Sequence, residues 1–421
     1  MPVRKDGRIG RSHPAVGRTA IGWFAVALLA GCTAAPAAPQ DQSDARGQSA
    51  GQPAAQGGSA TPLAAPTASP VDPTLQCVRD LPRDVRIGQT MLVTTPDLPR
   101  VVGWLQDGLI AGVLANGRLT RSAASALEVA TTGTEYGAIL ATDDEGGSVQ
   151  RYRDIVGAIP SAQRQAGTMS PAQVRELYEG MGVALGDWGV NMVLGPVVDV
   201  GHGPGIGSRA YSDDPDTVTE YAEAAARGLV DAGLTPVLKH FPGHGRTSGD
   251  THVARVSGPP IDELRRVDLA PYRALLGMDG VAVLVGHTTI PGYSDEPSSQ
   301  TADVVTGLLR DELGFDGLVV SDALGMKASA AADQGQALVR FVAAGGDVGI
   351  IGPGGSIEGR RAMRAALRDG TVTRDRLDEA VLHVLAQKGV DPCSLPHRKP
   401  EAPKDDGSPA DPPVVNPSRD S

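Results

Sequence analysis

Eight short, unbroken apolar runs alternate with longer stretches of helical spacing, and no other feature constrains the fold as tightly. The runs lie at Met91–Thr94, Ala111–Leu114, Ala138–Ala141, Met192–Leu194, Thr235–Leu238, Val281–Val285, Leu318–Val320 and Val348–Ile351. Each is too short for an ordinary helix, and none alternates apolar with polar as a half-exposed strand would. That is the pattern of strands buried on both faces of a parallel sheet. Helices are expected over Val101–Leu109, Arg121–Ala130, Ala172–Trp188, Thr217–Ala232, Asp262–Leu276, Ala302–Leu313, Gly335–Ala344, Ile357–Leu367 and Arg374–Gln387. In the last of these Leu377, Val381 and Leu385 recur on one face. Asp262-Glu263 suits a helix start, and Gly314 and Gly345 suit helix stops. Eight strand-helix units predict the α/β class and a single (β/α)8 TIM-type barrel rather than an open doubly wound sheet. No GxGxxG turn follows the first run, and the Gly-rich stretch Gly201–Gly207 opens no helix, so no dinucleotide cofactor is expected.

The ends of the chain read differently. Residues 1–32 have the form of a secretory signal, with Arg4, Lys5, Arg8, Arg11 and Arg18 ahead of the short apolar core Ala20–Ala30. The segment closes in Leu29-Ala30-Gly31-Cys32, which resembles a bacterial lipobox, and Cys32 is the expected site of lipidation. Two acyl chains would anchor the protein to the outer face of the cytoplasmic membrane, its only expected membrane contact. Residues 33–74 are rich in Ala, Pro, Gln, Gly and Ser and read as a disordered tether, and 394–421 read as a disordered Pro-rich tail. The barrel is therefore assigned to 75–393, about 320 residues, and is expected to be monomeric.

The net charge of −11, with scattered basic residues, argues against a nucleic-acid partner. Once Cys32 is set aside, Cys77 and Cys393 remain at the two ends of the folded part. They either form a disulfide or stay as two thiols. No CxxC pair points to a structural zinc site.

Charged residues cluster where the apolar runs stop. Lys239 to His252, KHFPGHGRTSGDTH, follows the fifth run and carries three of the eight histidines, His240, His244 and His252, together with Asp250. Asp143, His287 and Asp322 follow other runs, and Arg209 lies in the loop after the fourth. In a barrel all of these converge on the C-terminal mouth, where active sites lie. His244 and His287 suit a structural role as well as a functional one.

These motifs resemble glycoside hydrolase family 3, and within it the NagZ-type β-N-acetylglucosaminidases. KHFPGHG with a D-S/T-H triplet, TDDEGGSVQR against the family's DQEGGRVQR, IGSRAYSDDP against IGDRSFGSDP, and VVTGLLRDELGFDGLVVSDALGM carry the likeness across 75–393. The resemblance implies a retaining double displacement with Asp322 as nucleophile. A carboxylate there forms a covalent glycosyl-enzyme that water then opens. It implies His252 as acid and base, oriented by Asp250, on a Gly-containing loop able to move. Asp143, Arg151, Arg209, Lys239 and His240 match positions that bind sugar hydroxyls, for which charged partners are strong hydrogen-bonding groups. Two positions depart: Ser148 stands where the family has Arg, and Asp144 where it has Gln. The chain stops just after the barrel, so the acid must come from the barrel itself. That favours a terminal N-acetylglucosamine (GlcNAc) substrate, and family and location together point to a fragment β-1,4-linked to N-acetylmuramic acid (MurNAc).

Three other readings compete. The covalent intermediate can be released to phosphate, because a histidine acid does not repel an anion. The chain can be a sugar-binding lipoprotein without turnover. Or His240, His244, His252 and Asp250 can be ligands of a metal-dependent hydrolase, although a strand end and a mobile loop are a poor preformed site and no metal is expected.

Overall fold

The computed structural model describes residues 73–396, apart from 97, 118–119, 121–124, 126–128, 130, 330–332 and 353. The signal segment with Cys32, nearly all of the tether and tail, and most of the helix expected over 121–130 lie outside the described residues.

Eight parallel strands form one sheet: β1 (Met91–Thr95), β2 (Gly112–Ala115), β3 (Ile139–Thr142), β6 (Met192–Val193), β7 (Thr235–Phe241), β8 (Ala282–Val285), β9 (Val319–Ser321) and β10 (Gly349–Ile351). A two-stranded hairpin, β4 (Asp144–Gly146) and β5 (Val149–Gln150), rises from the end of β3. The sheet order is β10-β1-β2-β3-β6-β7-β8-β9, and a parallel bridge between Val320 and Val348 closes the ring. The registers Val93 with Val113 and Val283 with Val319 are typical of its pairings.

Apolar residues are buried on both faces, as the unbroken runs predict. Leu92, Ile139, Met192, Val237, Leu284, Val320 and Ile350 fill the interior. Met91, Val93, Leu140, Val193, Leu238, Val283 and Val319 pack outward against helices. Helix Arg374–Gln387 also lends Val384 to the interior cluster, so it floors the N-terminal mouth.

Differences from the sequence reading have local causes. Helices Pro73–Asp80 and Arg83–Gly88 precede β1. They are short and were not expected; Arg79 and Arg86 tie them to the buried Asp378. Cys77 and Cys393 are joined as a disulfide. The expected helix Asp262–Leu276 is two, Ile261–Arg266 and Leu269–Leu275, parted at Asp268, whose carboxylate is taken by Arg246. β7 runs three residues beyond Leu238, through Lys239 and His240 to Phe241.

Candidate active site

The C-terminal mouth holds a cavity of about 310 Å3. Asp143, Arg151, Arg209, Lys239, His240, His252 and Asp322 all line it, with Leu194, Leu284, Ile350 and Met326 as apolar wall. Residues spread over some 180 positions of sequence thus meet because each sits on or just beyond a strand of one barrel.

Lys239 and His240 lie inside β7 and are buried, which is tolerable only because both are paired. The Lys239 ammonium is 2.6 Å from Asp143 Oδ1 and 2.6 Å from Glu145 Oε1. Burial pulls its pKa down, but the two carboxylates outweigh that and leave it raised. Glu145 also takes a two-pronged contact from Arg209, Nε to Oε2 at 2.7 Å and Nη2 to Oε1 at 2.6 Å. Burial works against its charge, yet Lys239 and Arg209 hold Glu145 down at about 2. Glu145 is 5% exposed and is therefore the clamp that sets the distance between two cations.

His240 is fixed at both nitrogens. Its Nδ1 lies 2.7 Å from Asp199 Oδ2, and its Nε2 lies 3.3 Å from Arg209 Nη2. Arg209 can only donate, so Nε2 accepts and Nδ1–H donates to Asp199. Burial, then Arg209 and Lys239, push the His240 pKa well below its usual value and keep the ring neutral. Asp199 Oδ1 accepts the backbone N–H of His240 at 3.3 Å and of His244 at 2.6 Å. Burial raises the Asp199 pKa, against those N–H donors and the charge of His244. One carboxylate thus anchors both β7 and the root of the loop that follows.

Asp322 directly follows β9. Its backbone N–H donates to Val285 O, and its Oδ1 accepts the N–H of Ala323 at 2.7 Å. Burial alone would raise its pKa; His287, His240, the Ala323 N–H and Lys239 together hold it below the ordinary carboxylate value. It is an ionised carboxylate facing a cavity, the state a nucleophile needs.

His252 projects from the loop after β7, with its Nδ1 2.8 Å from Asp250 Oδ1. The same oxygen accepts the His252 backbone N–H at 2.9 Å, and that bond is the main cause of the lowered Asp250 pKa. Asp250 therefore takes the Nδ1 side of the ring and leaves Nε2 without a partner on Asp250. The loop is also tied to the segment after β9, where Ala328 N–H donates to Thr251 O at 3.3 Å.

The remaining expectations resolve by contact. His287 is structural: buried, with Nδ1 2.7 Å from Ser299 Oγ and Nε2 3.1 Å from Ala323 O, it props the backbone beside Asp322. His244 is buried edge-on to His240, their ring centroids 5.6 Å apart, and does not line the cavity. Asp144 is buried and accepts from Thr142 Oγ1 at 2.5 Å and Tyr152 N–H at 2.9 Å, so it braces the β4–β5 hairpin. Ser148 is exposed at the hairpin tip and does not line the cavity. Among the described residues no group of three or more His, Cys, Asp or Glu could hold a metal ion.

Sequence reasoning passed over Glu145 and Asp199. Glu145 sits inside a quoted motif. Asp199 interrupts the apolar string Val197-Val198-Val200, and an acid inside such a string is a sign of a buried, paired carboxylate.

A parallel barrel that gathers a carboxylate, a His–Asp pair and a cluster of charged and polar groups at one mouth has the layout of a glycoside hydrolase. The family model "Glycosyl hydrolase family 3 N terminal domain" matches residues 83–387, and the chain belongs to that family. It is 35% identical over 325 residues to "Beta-hexosaminidase LpqI" of Mycobacterium tuberculosis, covering 74% of this chain and 84% of that one. A solved family 3 glycosyl hydrolase from Mycobacterium smegmatis superposes with a TM-score of 0.71 at 34% identity, covering 74% of this chain and 98% of that one. A family 3 β-N-acetylglucosaminidase from Paenibacillus gives a TM-score of 0.69 at 27% identity, covering 74% and 63%.

Proposed function

We propose that this family 3 enzyme is a β-hexosaminidase, acting as a retaining exo-β-N-acetylglucosaminidase on terminal GlcNAc of β-1,4-linked GlcNAc–MurNAc wall fragments. The observation that carries the reading is one cavity lined by both the ionised Asp322 and the Asp250-held His252. The β-hexosaminidase and β-N-acetylglucosaminidase named among the similar proteins support it.

In this reading Asp322 attacks the anomeric carbon while His252 gives its proton to the leaving oxygen. The bond to the aglycone breaks and a glycosyl ester forms. His252 then takes a proton from water, which attacks the same carbon and frees Asp322, so two inversions retain the β-configuration. Asp250 supports the imidazolium while it exists. Lys239, Arg209, His240, Asp143 and Arg151 bind the sugar's hydroxyls, with Glu145 and Asp199 holding the first three in place. A neutral His240 serves here as an acceptor: its Nδ1–H is spent on Asp199, and its Nε2 lone pair, held only at 3.3 Å by Arg209, can accept a sugar hydroxyl's proton. The enzyme works as a monomer outside the cytoplasmic membrane, held by acylated Cys32.

The test is turnover of an aryl β-N-acetylglucosaminide beside the matching β-glucoside, with the first-formed sugar anomer read by NMR. Turnover of the N-acetyl sugar with β-product first is expected. Preference for the glucoside, or α-product first, would overturn the substrate or the mechanism respectively.

A further inference from the structure

At the N-terminal end of the barrel lies a second cavity, of about 630 Å3. It sits between helix Arg83–Gly88, the last turn of helix Gly355–Asp369 and the first turn of helix Arg374–Gln387. Arg83, Arg86, Arg368 and Arg374 line it, with Leu367 and Leu377. No carboxylate lines it, in a chain whose net charge is −11.

The neighbouring acids are engaged elsewhere. Asp84 pairs with Arg364, Asp375 with Arg79, and Asp378 with Arg79 and Arg86. Asp369 feels the charge of Arg368, but its carboxylate is turned to the Thr371 hydroxyl and N–H. Among the described residues Arg83, Arg368 and Arg374 form no ion pair. Arg86 spends Nη1 on Asp378 at 2.6 Å, while its Nε is buried without an acceptor.

Like charges gathered at one concavity repel one another, and an anion between them reverses the sign of that term. Guanidinium forks match the oxygens of a phosphate group better than a point cation does. The two leucines give the cavity an apolar surface for a short carbon segment. We propose that this cavity binds a phosphate ester, its oxygens held by Arg83, Arg86, Arg368 and Arg374 and its carbon portion set against Leu367 and Leu377. A soluble phosphate ester and a phospholipid headgroup both present that chemistry. The cavity is at the opposite end of the barrel from the catalytic mouth, so its occupancy does not compete with substrate.

The test uses the full chain and the double variant Arg83→Gln/Arg374→Gln. Both side chains are exposed and outside the ion pairs that hold the fold. Arg164→Gln/Arg340→Gln removes the same charge elsewhere and serves as control. Calorimetric titration with glycerol 3-phosphate, and sedimentation with phosphatidylglycerol-containing against pure phosphatidylcholine vesicles, read the two sources. At least one arm is expected to show binding that falls tenfold or more in the Arg83/Arg374 variant and holds in the control. Turnover of the aryl N-acetylglucosaminide should stay unchanged in both. A response to glycerol 3-phosphate alone identifies a soluble ester, and a vesicle response identifies a lipid headgroup. Absence of binding in both arms, or equal loss in the control, overturns the proposal.

Discussion

The two mouths of the barrel are built from the same groups to opposite ends. At the N-terminal mouth Asp347 is fully buried and accepts Arg310 at 2.8 Å, Arg376 at 2.7 Å, His383 Nδ1 at 3.0 Å and the Val319 N–H at 2.8 Å. Burial opposes its charge, but Arg310, His383 and Arg376 hold its pKa down. That carboxylate is saturated and ties two helices to β9. At the C-terminal mouth Glu145 and Asp199 are just as buried, but the groups they hold, Lys239, Arg209 and His240, also line an open cavity. A buried ion network becomes a binding site when its members keep bonding capacity on one side. It remains a fastener when none does.

That contrast can be broken in order of effect. On the proposed mechanism, Asp322→Asn should lower turnover of the aryl N-acetylglucosaminide by about a thousandfold or more, because that mechanism needs the carboxylate as nucleophile. Its thermal midpoint should stay close to that of the parent; comparable activity would remove Asp322 from the mechanism. Asp347→Ala should do the reverse. Leaving two guanidiniums without their buried partner is expected to cost about 3–5 kcal/mol in urea unfolding, while the folded fraction keeps its kcat/KM.

Glu145 links the two properties through pH. Its pKa is 4.5 when unfolded and about 2 in the fold. Its stabilising contribution is therefore complete above pH 4.5 and lost as pH falls toward 2. At about 1.4 kcal/mol per unit this is about 3 kcal/mol, so Glu145→Gln should flatten the acid limb of the stability curve in that window. An unchanged limb would mean that the clamp is not ionised as described. Asp199→Asn should give the smallest change. It weakens charge-assisted bonds of about 1.5–3 kcal/mol, a 10- to 100-fold fall in kcat/KM carried mainly by KM. A loss of stability with no change in KM would make Asp199 a fastener like Asp347.

The barrel was legible in the sequence because unbroken apolar runs mark parallel strands buried on both faces, and eight of them alternating with helices favour a closed ring over an open sheet. Five chemically rich positions at or after those runs, with His252 in the loop beyond the fifth and Arg151 from motif likeness, were enough to find the cavity. What escaped did so for a shared reason. Stopping a strand at its first charge ended β7 at Leu238, yet Lys239 and His240 continue it because Glu145, Asp143 and Asp199 neutralise the cost of burial. Those partners are 41 to 96 positions away, so no local window contains them. Helices Pro73–Asp80 and Arg83–Gly88 are likewise held by contacts with Asp375 and Asp378, nearly 300 positions later.

The bond between Cys77 and Cys393 has a mechanical consequence. A tensile load applied at Pro73 would unwind at most the first turn of its helix before reaching Cys77. There the covalent bridge diverts the force to Cys393, three residues before the last described residue, Pro396. The barrel between them is bypassed. A pull on either end would stretch a short loop of polypeptide while the strands that carry Asp322 and Lys239 stay unloaded.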